Sequence, residues 1–234
     1  MEDAARAAFR ELPRPMQRAL ELGWESACAG SIGIGAVVVA GDGTEVATGR
    51  NRLLEDVPGD DVIAGSSLAH AELNALAKLG YRQHEDDDLE LHTTLQPCVQ
   101  CLAAIRLSPV RRVRVLAPDP LWAGTERMHE LTPYLAARWP GIEMLPVGEW
   151  TVFALVFPTA HVAGRISVGG LWATTLPETT ALAERVHDAL GATMDAGESV
   201  VAAAGELWSD LTRCVDEVER SASRLDWPTA SPSR

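Results

Sequence analysis

Between Met16 and Gly148, strand-sized apolar runs trade places with segments of helical spacing, and this alternation limits the fold more than any other feature. SIGIGAVVVA reads as a buried strand, and GDGTEV as a turn into a second strand over Val46 to Gly49, with Asn51 at its end. Leu73, Leu76 and Ala77 recur as a helix repeats, which predicts a helix over His70 to Leu79 after the polar loop VPGDDVIAGSS. LELHTTL is a strand, and PCVQCLAAIRL is a helix with Pro97 in its first turn. VRRVRVLAP is a strand with its arginines toward solvent, ERMHELTPYLAARW a helix, and GIEMLPVG a short closing strand. Ahead of all these, Ala4 to Cys28 reads as a helix broken or shifted by Pro13 and Pro15. The sum is an α/β chain whose helices cover a mixed sheet.

Beyond Gly148 the pattern changes. EWTVFALVFPTAHVAGR is strongly apolar and fits either a strand or a helix, whereas Glu178 to Leu190 and Glu198 to Leu225 read as two amphipathic helices. In the second, Leu207, Leu211, Val215, Val218 and Leu225 form a stripe suited to core or dimer packing. The tail DWPTASPSR is expected to be disordered. We therefore divide the chain into a domain over residues 1–150 and an extension over 151–234 made of the apolar segment, two helices and the tail.

Charge narrows the partners. The 234 residues carry a net charge of −13, which argues against a nucleic-acid partner, because phosphate contacts are made by basic faces. The basic cluster visible in the sequence, Arg111, Arg112 and Arg114, has strand spacing. No run approaches the roughly 18 apolar residues of a membrane span. The acidic, amphipathic start MEDAARAAFREL is unlike a signal peptide, so a cytoplasmic protein without a membrane partner is expected. Four cysteines in such a chain speak against a disulfide framework. Cys28 and Cys214 read as packing residues, and the other two stand in TLQPCVQC.

Cys98 and Cys101 are three apart, about 60° around a helix axis, so both thiols point the same way. At a helix N-terminus they lie near free backbone N–H groups, where a thiolate is favoured. Alone, a C-x-x-C also fits redox chemistry or half of a structural zinc site. Upstream stands His70-Ala71-Glu72. On an ideal helix, His70 and Glu72 would be about 200° apart; they converge only if His70 occupies the first, non-helical position and Glu72 the first turn. The outcome is one histidine and two cysteines around a metal, a fourth position open to water and a carboxylate beside it, which marks a catalytic rather than a structural zinc site. Each residue alone has a plainer reading, as a satisfied polar group, a first-turn acid or a buried thiol; their joint spacing outweighs these.

The H-x-E…P-C-x-x-C pattern, with GAVVV before it and TLQPC leading into it, resembles the cytidine deaminase-like superfamily. The specific likeness, over about Met16 to Gly148, is to the branch of cytosine, guanine, deoxycytidylate and tRNA adenosine deaminases. The resemblance implies a three-layer α/β/α fold with a central mixed sheet of about five strands, to which the helical C-terminal extension is an addition. It implies a hydrolase with one zinc ion per chain held by His70, Cys98 and Cys101, and Glu72 as the catalytic proton carrier. It also implies substrate contacts from Asn51, the Ala71 backbone and Trp122, with Asp119 shaping the same loop and Glu126 or Glu149 as a second acid. A homodimer is expected on the same ground. The favoured activity is release of ammonia from a free nucleobase, nucleoside or analogue such as cytosine, guanine or an aminotriazine. Alternatives are a deoxycytidylate deaminase, needing an arginine such as Arg50, Arg52 or Arg127 for the phosphate, a tRNA or nucleic-acid base editor, and a non-catalytic zinc-stabilised interaction protein.

Overall fold

The computed structural model describes residues 1–56, 63–84, 87–163 and 173–224. The expected disordered tail lies outside the described residues, as do 57–62 of the polar loop, 85–86 of the acidic run and Leu225.

Five strands, β1 (Gly35–Val39), β2 (Glu45–Arg50), β3 (Leu89–Leu95), β4 (Val110–Ala117) and β5 (Gly141–Met144), form one sheet in the order β2-β1-β3-β4-β5. β1 is antiparallel to both β2 and β3, while β3, β4 and β5 run parallel. The hairpin between β1 and β2 closes through Gly43 at φ +85°, a conformation side chains rarely adopt, and through Asp42 Oδ1, which accepts from the Thr44 N–H at 2.9 Å. The parallel strands need crossovers. The first is α4 (Val99–Leu107); the second is a pair of 3₁₀ segments, Pro120–Trp122 and Thr125–Leu131, and the one-turn α5 (Pro133–Ala136). That second crossover corrects the expected helix over ERMHELTPYLAARW: Pro133 interrupts the stretch, and the Thr132 hydroxyl starts a fresh turn by accepting from the Leu135 N–H.

On one face of the sheet lie α3 (Ala71–Leu76) and α4, whose Ala71, Ala75, Leu102 and Ile105 meet Ala36, Val38, Leu91 and Val113. The helix expected over His70 to Leu79 is shorter at both ends. Against the other face lie α2 (Arg14–Cys28) and α6 (Glu149–Ala163), and on these pack α1 (Glu2–Glu11), α7 (Pro177–Asp195) and α8 (Val200–Arg224). The ambiguous apolar segment is α6. Trp150, Val152, Phe153, Ala154, Leu155 and Val156 are all buried in succession, which suits a helix enclosed on every side. The break expected at Pro13 separates α1 from α2, with Pro13 capping α2.

Aromatic rings knit this side together. Phe9, Trp150, Phe153, Phe157 and Trp24 follow one another with centroids 5.0 to 5.8 Å apart, and Trp208 of α8 meets Trp150 at 6.0 Å. The Trp24 indole N–H donates to the Glu198 carbonyl at 2.8 Å. Glu217 of α8 caps α7 by accepting from the N–H groups of Glu178 and Thr179 at 2.7 and 2.8 Å, and from the Thr179 hydroxyl. The described residues of the 151–234 segment thus share one apolar core with α1 and α2.

Candidate active site

Two helix starts build the site. His70 caps α3 in extended conformation (φ −77°, ψ 154°), and Glu72 falls in the first turn, the only placement that lets the two converge. Cys98 caps α4 in extended conformation (φ −69°, ψ 173°), with Cys101 in the first turn. Pro97 therefore precedes the helix rather than opening it. α3 can sit directly on β2 because residue 49 is glycine: a Cβ there would stand 2.1 Å from the Ala71 carbonyl oxygen. Asn74 pins the same helix, donating to the Arg50 and Ile63 carbonyls at 3.2 and 3.0 Å and accepting from the Ile63 N–H at 2.7 Å.

The result is compact. His70 Nδ1 lies 3.6 Å from Cys98 Sγ and 3.5 Å from Cys101 Sγ, and the three donor atoms fall within 4.8 Å of one another. The Cys101 thiol donates to Glu72 Oε2 at 3.4 Å, and the Thr93 hydroxyl lies 3.3 Å from Glu72 Oε1. Glu72 is 3% exposed. Burial pushes its carboxyl above the ordinary range, opposed by the His70 charge and supported by that of Cys98. The Cys101 hydrogen bond, against burial, brings the Cys98 thiol down to about 4, whereas Cys101, sharing that proton and buried, is pushed well up. Burial works to lower His70, but its hydrogen bond to Cys98 and the charges of Glu72 and Cys98 win, and it is raised. One imidazole and two thiols, one poised as thiolate, are the soft nitrogen and sulfur donors that suit zinc. His70, Cys98 and Cys101 fit one zinc ion per chain.

The wall around this group is also ordered. Asn51 is buried, and its Oδ1 accepts from the Ser31 hydroxyl at 2.9 Å and the Leu53 N–H at 3.0 Å. That leaves Nδ2 as a donor with no acceptor among the described residues. The Ala71 N–H, first of α3, is likewise without an acceptor there. Gln96 clamps the loop after β4 to the cysteine helix: its Nε2 donates to the Trp122 carbonyl at 2.9 Å, and its Oε1 accepts from the Asp119 N–H at 3.2 Å. Asp119 is buried, and burial raises its carboxyl to about 7 despite the Leu121 N–H it accepts, with Cys98 and Glu72 adding negative charge. Trp122 is half-buried in this loop.

Other expected residues go elsewhere. Glu149 heads α6, where its Oε1 accepts from the Thr212 hydroxyl of α8 at 3.1 Å. Glu126 turns a buried, unpartnered Oε2 among Gln96, Pro97, Val115 and Met144. Neither has a hydrogen bond to the His70–Cys98–Cys101 group among the described residues. Arg50 and Arg52 are both engaged by Glu55, and Arg127 by Glu130. Sequence reasoning missed Ser31, Thr93 and Gln96. Of these Gln96 lies inside TLQPC and Thr93 directly before it.

A mixed sheet with a His–Cys–Cys group at two helix starts defines the class as a zinc-binding α/β/α deaminase fold. The family model for the cytidine and deoxycytidylate deaminase zinc-binding region matches residues 10–117. The chain is 29% identical over 114 residues to a cytosine deaminase of Candida albicans, covering 48% of this chain and 70% of that protein. Among solved structures, one from a study of tRNA:A34 deaminases shares 27% identity over 56% of this chain and 90% of its own, with a TM-score of 0.46. A guanine deaminase from Bacillus subtilis shares 30% identity over 51% and 75%, with a TM-score of 0.38. Over residues 10–117 the chain is similar to the zinc-binding region of the cytidine and deoxycytidylate deaminases.

Proposed function

We propose that the protein is a hydrolytic deaminase that converts the exocyclic amine of a small nitrogen heterocycle, a free nucleobase, nucleoside or base analogue, to a carbonyl with release of ammonia. The observation that carries this is the buried Glu72 carboxyl set against the His70–Cys98–Cys101 group, 3.4 Å from Cys101 Sγ. Zinc bound by those three residues would supply Lewis acidity, making water nucleophilic near neutral pH. Glu72 does the proton work. Its carboxylate accepts one proton of the attacking water and delivers it to the ring nitrogen; it then takes the proton left on the added hydroxyl and passes it to the amine, which leaves as ammonia as the C–N bond breaks and the carbonyl forms. Thr93, 3.3 Å away, orients Glu72 Oε1. The Asn51 Nδ2 and Ala71 N–H donors bind acceptors on the heterocycle, while Asp119 and Trp122 shape the wall against the ring.

The engagement of Arg50, Arg52 and Arg127 by carboxylates supports a base or nucleoside over a monophosphate at this site. We further propose a homodimer joined through the groove whose lining includes Leu76, Tyr81 and Leu107, since Tyr81 is 96% and Leu107 70% exposed. Residues 1–150 would be the catalytic unit and 151–234 its helical cover. All four cysteines are free, which suits the cytoplasm, and no helix among the described residues is long and apolar enough to cross a membrane.

The test is ammonia release by the zinc-loaded protein from cytosine, cytidine, deoxycytidylate, guanine, adenosine and aminotriazines. One free base or nucleoside is expected to react, with Glu72→Gln lowering turnover about a hundred- to ten-thousand-fold while zinc stays at one per chain. Turnover that survives in the Gln variant would falsify the role of Glu72.

A further inference from the structure

Far along the chain from the cysteine helix, α1, α2 and the start of α8 enclose a groove of about 510 Å3 lined by Arg6, Arg10, Arg14 and Arg18. No sequence run announced this patch. The four arginines are spaced by four residues across the α1–α2 break, and only the packing of both helices brings them to one groove. In a chain of net charge −13, this groove has four arginines against two carboxylates, Glu21 and Glu25. Both carboxylates are taken up by Arg18, at 3.3 and 3.1 Å, and Arg6 pairs with Glu2. Arg10 and Arg14, both exposed, form no ion pair among the described residues.

We infer that this groove binds a small phosphorylated ligand carrying two or more linked phosphates. Guanidinium groups present forked N–H donors that match phosphate oxygens. The 25-residue α8 begins at the groove, where Ser199 Oγ accepts only from the Ala202 N–H at 3.2 Å. The N–H groups of Val200 and Val201 have no acceptor among the described residues, so the helix end adds to the pull of the arginines. Size and charge select the ligand. The volume lies within the roughly 300–1,000 Å3 of small-molecule pockets. A long polyanion would extend past this local field onto an acidic surface, whereas a short one stays within about 10 Å of the arginines at moderate salt. Phe9 and Trp24, in the groove lining, offer an apolar wall beside the phosphates.

The test is titration calorimetry on the full-length zinc-loaded protein with inorganic phosphate, pyrophosphate, a nucleoside triphosphate and a single-stranded oligonucleotide. Pyrophosphate or the triphosphate should bind at least tenfold more tightly than phosphate, and raising salt from 50 to 200 mM should weaken that binding. Arg10→Gln with Arg14→Gln should weaken it at least tenfold, while Arg111→Gln leaves it unchanged. Ser199→Asp keeps the helix cap but sets a carboxylate where the anion would lie; it should hold or raise the melting temperature and weaken binding. Unchanged affinity in the double variant or in Ser199→Asp, or no heat with any probe, overturns the proposal. So does an oligonucleotide that binds tenfold more tightly than the triphosphate.

Discussion

The two faces of the sheet are covered by opposite means. Over the face that holds the site, α3 and α4 have only 6 and 9 residues, too short to be stable by themselves. α3 is held by tertiary hydrogen bonds from Asn74 and by close approach at Gly49, and α4 by the hydrogen bond from Arg106 Nε to the Leu135 carbonyl; this face buries polar groups, Glu72, Asn74 and Thr93 among them. Against the other face, α6, α7 and α8 have 15, 19 and 25 residues, and their burial is mostly apolar and aromatic, with the buried Glu217 carboxylate matched by its hydrogen bonds to the start of α7. Burying the Glu72 carboxyl costs stability even with the Thr93 hydroxyl and Cys101 thiol beside it, so the site face spends free energy that the helical face supplies. The comparison predicts that the faces fail differently when perturbed.

The largest effect belongs to the metal group. Cys98→Ala should take bound zinc from one per chain to near zero, read by elemental analysis, and abolish turnover, because two remaining donors do not hold the ion. Retention of zinc in that variant would break the assignment of the site face. On the helical face, Phe153→Ala should cost about 3–5 kcal/mol in urea unfolding, as deletion of a buried ring does, with zinc stoichiometry unchanged. Loss of zinc there would show that the faces are not separable. Asn51→Ala should raise KM about tenfold, the worth of roughly one hydrogen bond of about 1.4 kcal/mol, and lower the melting temperature by a few degrees, because the Ser31 hydroxyl and the Leu53 N–H lose their acceptor.

The smallest effect is in the acid limb. Glu90 is brought from 4.5 to about 2, first by its hydrogen bond to His92 and then by Arg112 and Arg114, with burial opposing. A depressed carboxyl stabilises the fold above its ordinary value, and that contribution is lost as pH falls from about 4.5 toward 2. Glu90→Gln should therefore lower the melting temperature modestly at pH 7, leave it nearly unchanged near pH 2, and so flatten its fall over that window. A mutant whose acid limb matches the parent would remove Glu90 from the account.

Legibility followed the range of the interactions. The convergence of His70 with Glu72, and of Cys98 with Cys101, was readable because each pair lies within one helix start, where local geometry decides direction. The two-helix nature of the N-terminus was readable from Pro13 for the same reason. The helix over ERMHELTPYLAARW was misread because apolar spacing outweighed Pro133, and EWTVFALVFPTAHVAGR stayed ambiguous because an element buried on all sides has no period to read. Ser31, Thr93 and Gln96 were missed because single hydroxyls and amides carry no pattern until a partner is beside them.

By itself, the sequence determined the donor set, its pairwise spacing and the α/β alternation, all properties of contacts between near neighbours along the chain. Only the tertiary structure decided that His70 meets two thiols 28 and 31 residues away, that Glu72 is buried against them, and that arginines of α1 and α2 line one groove with the start of α8. Those depend on how strands pair and how helices lie across them, and such contacts are set by the packing of the whole core rather than by any segment of it.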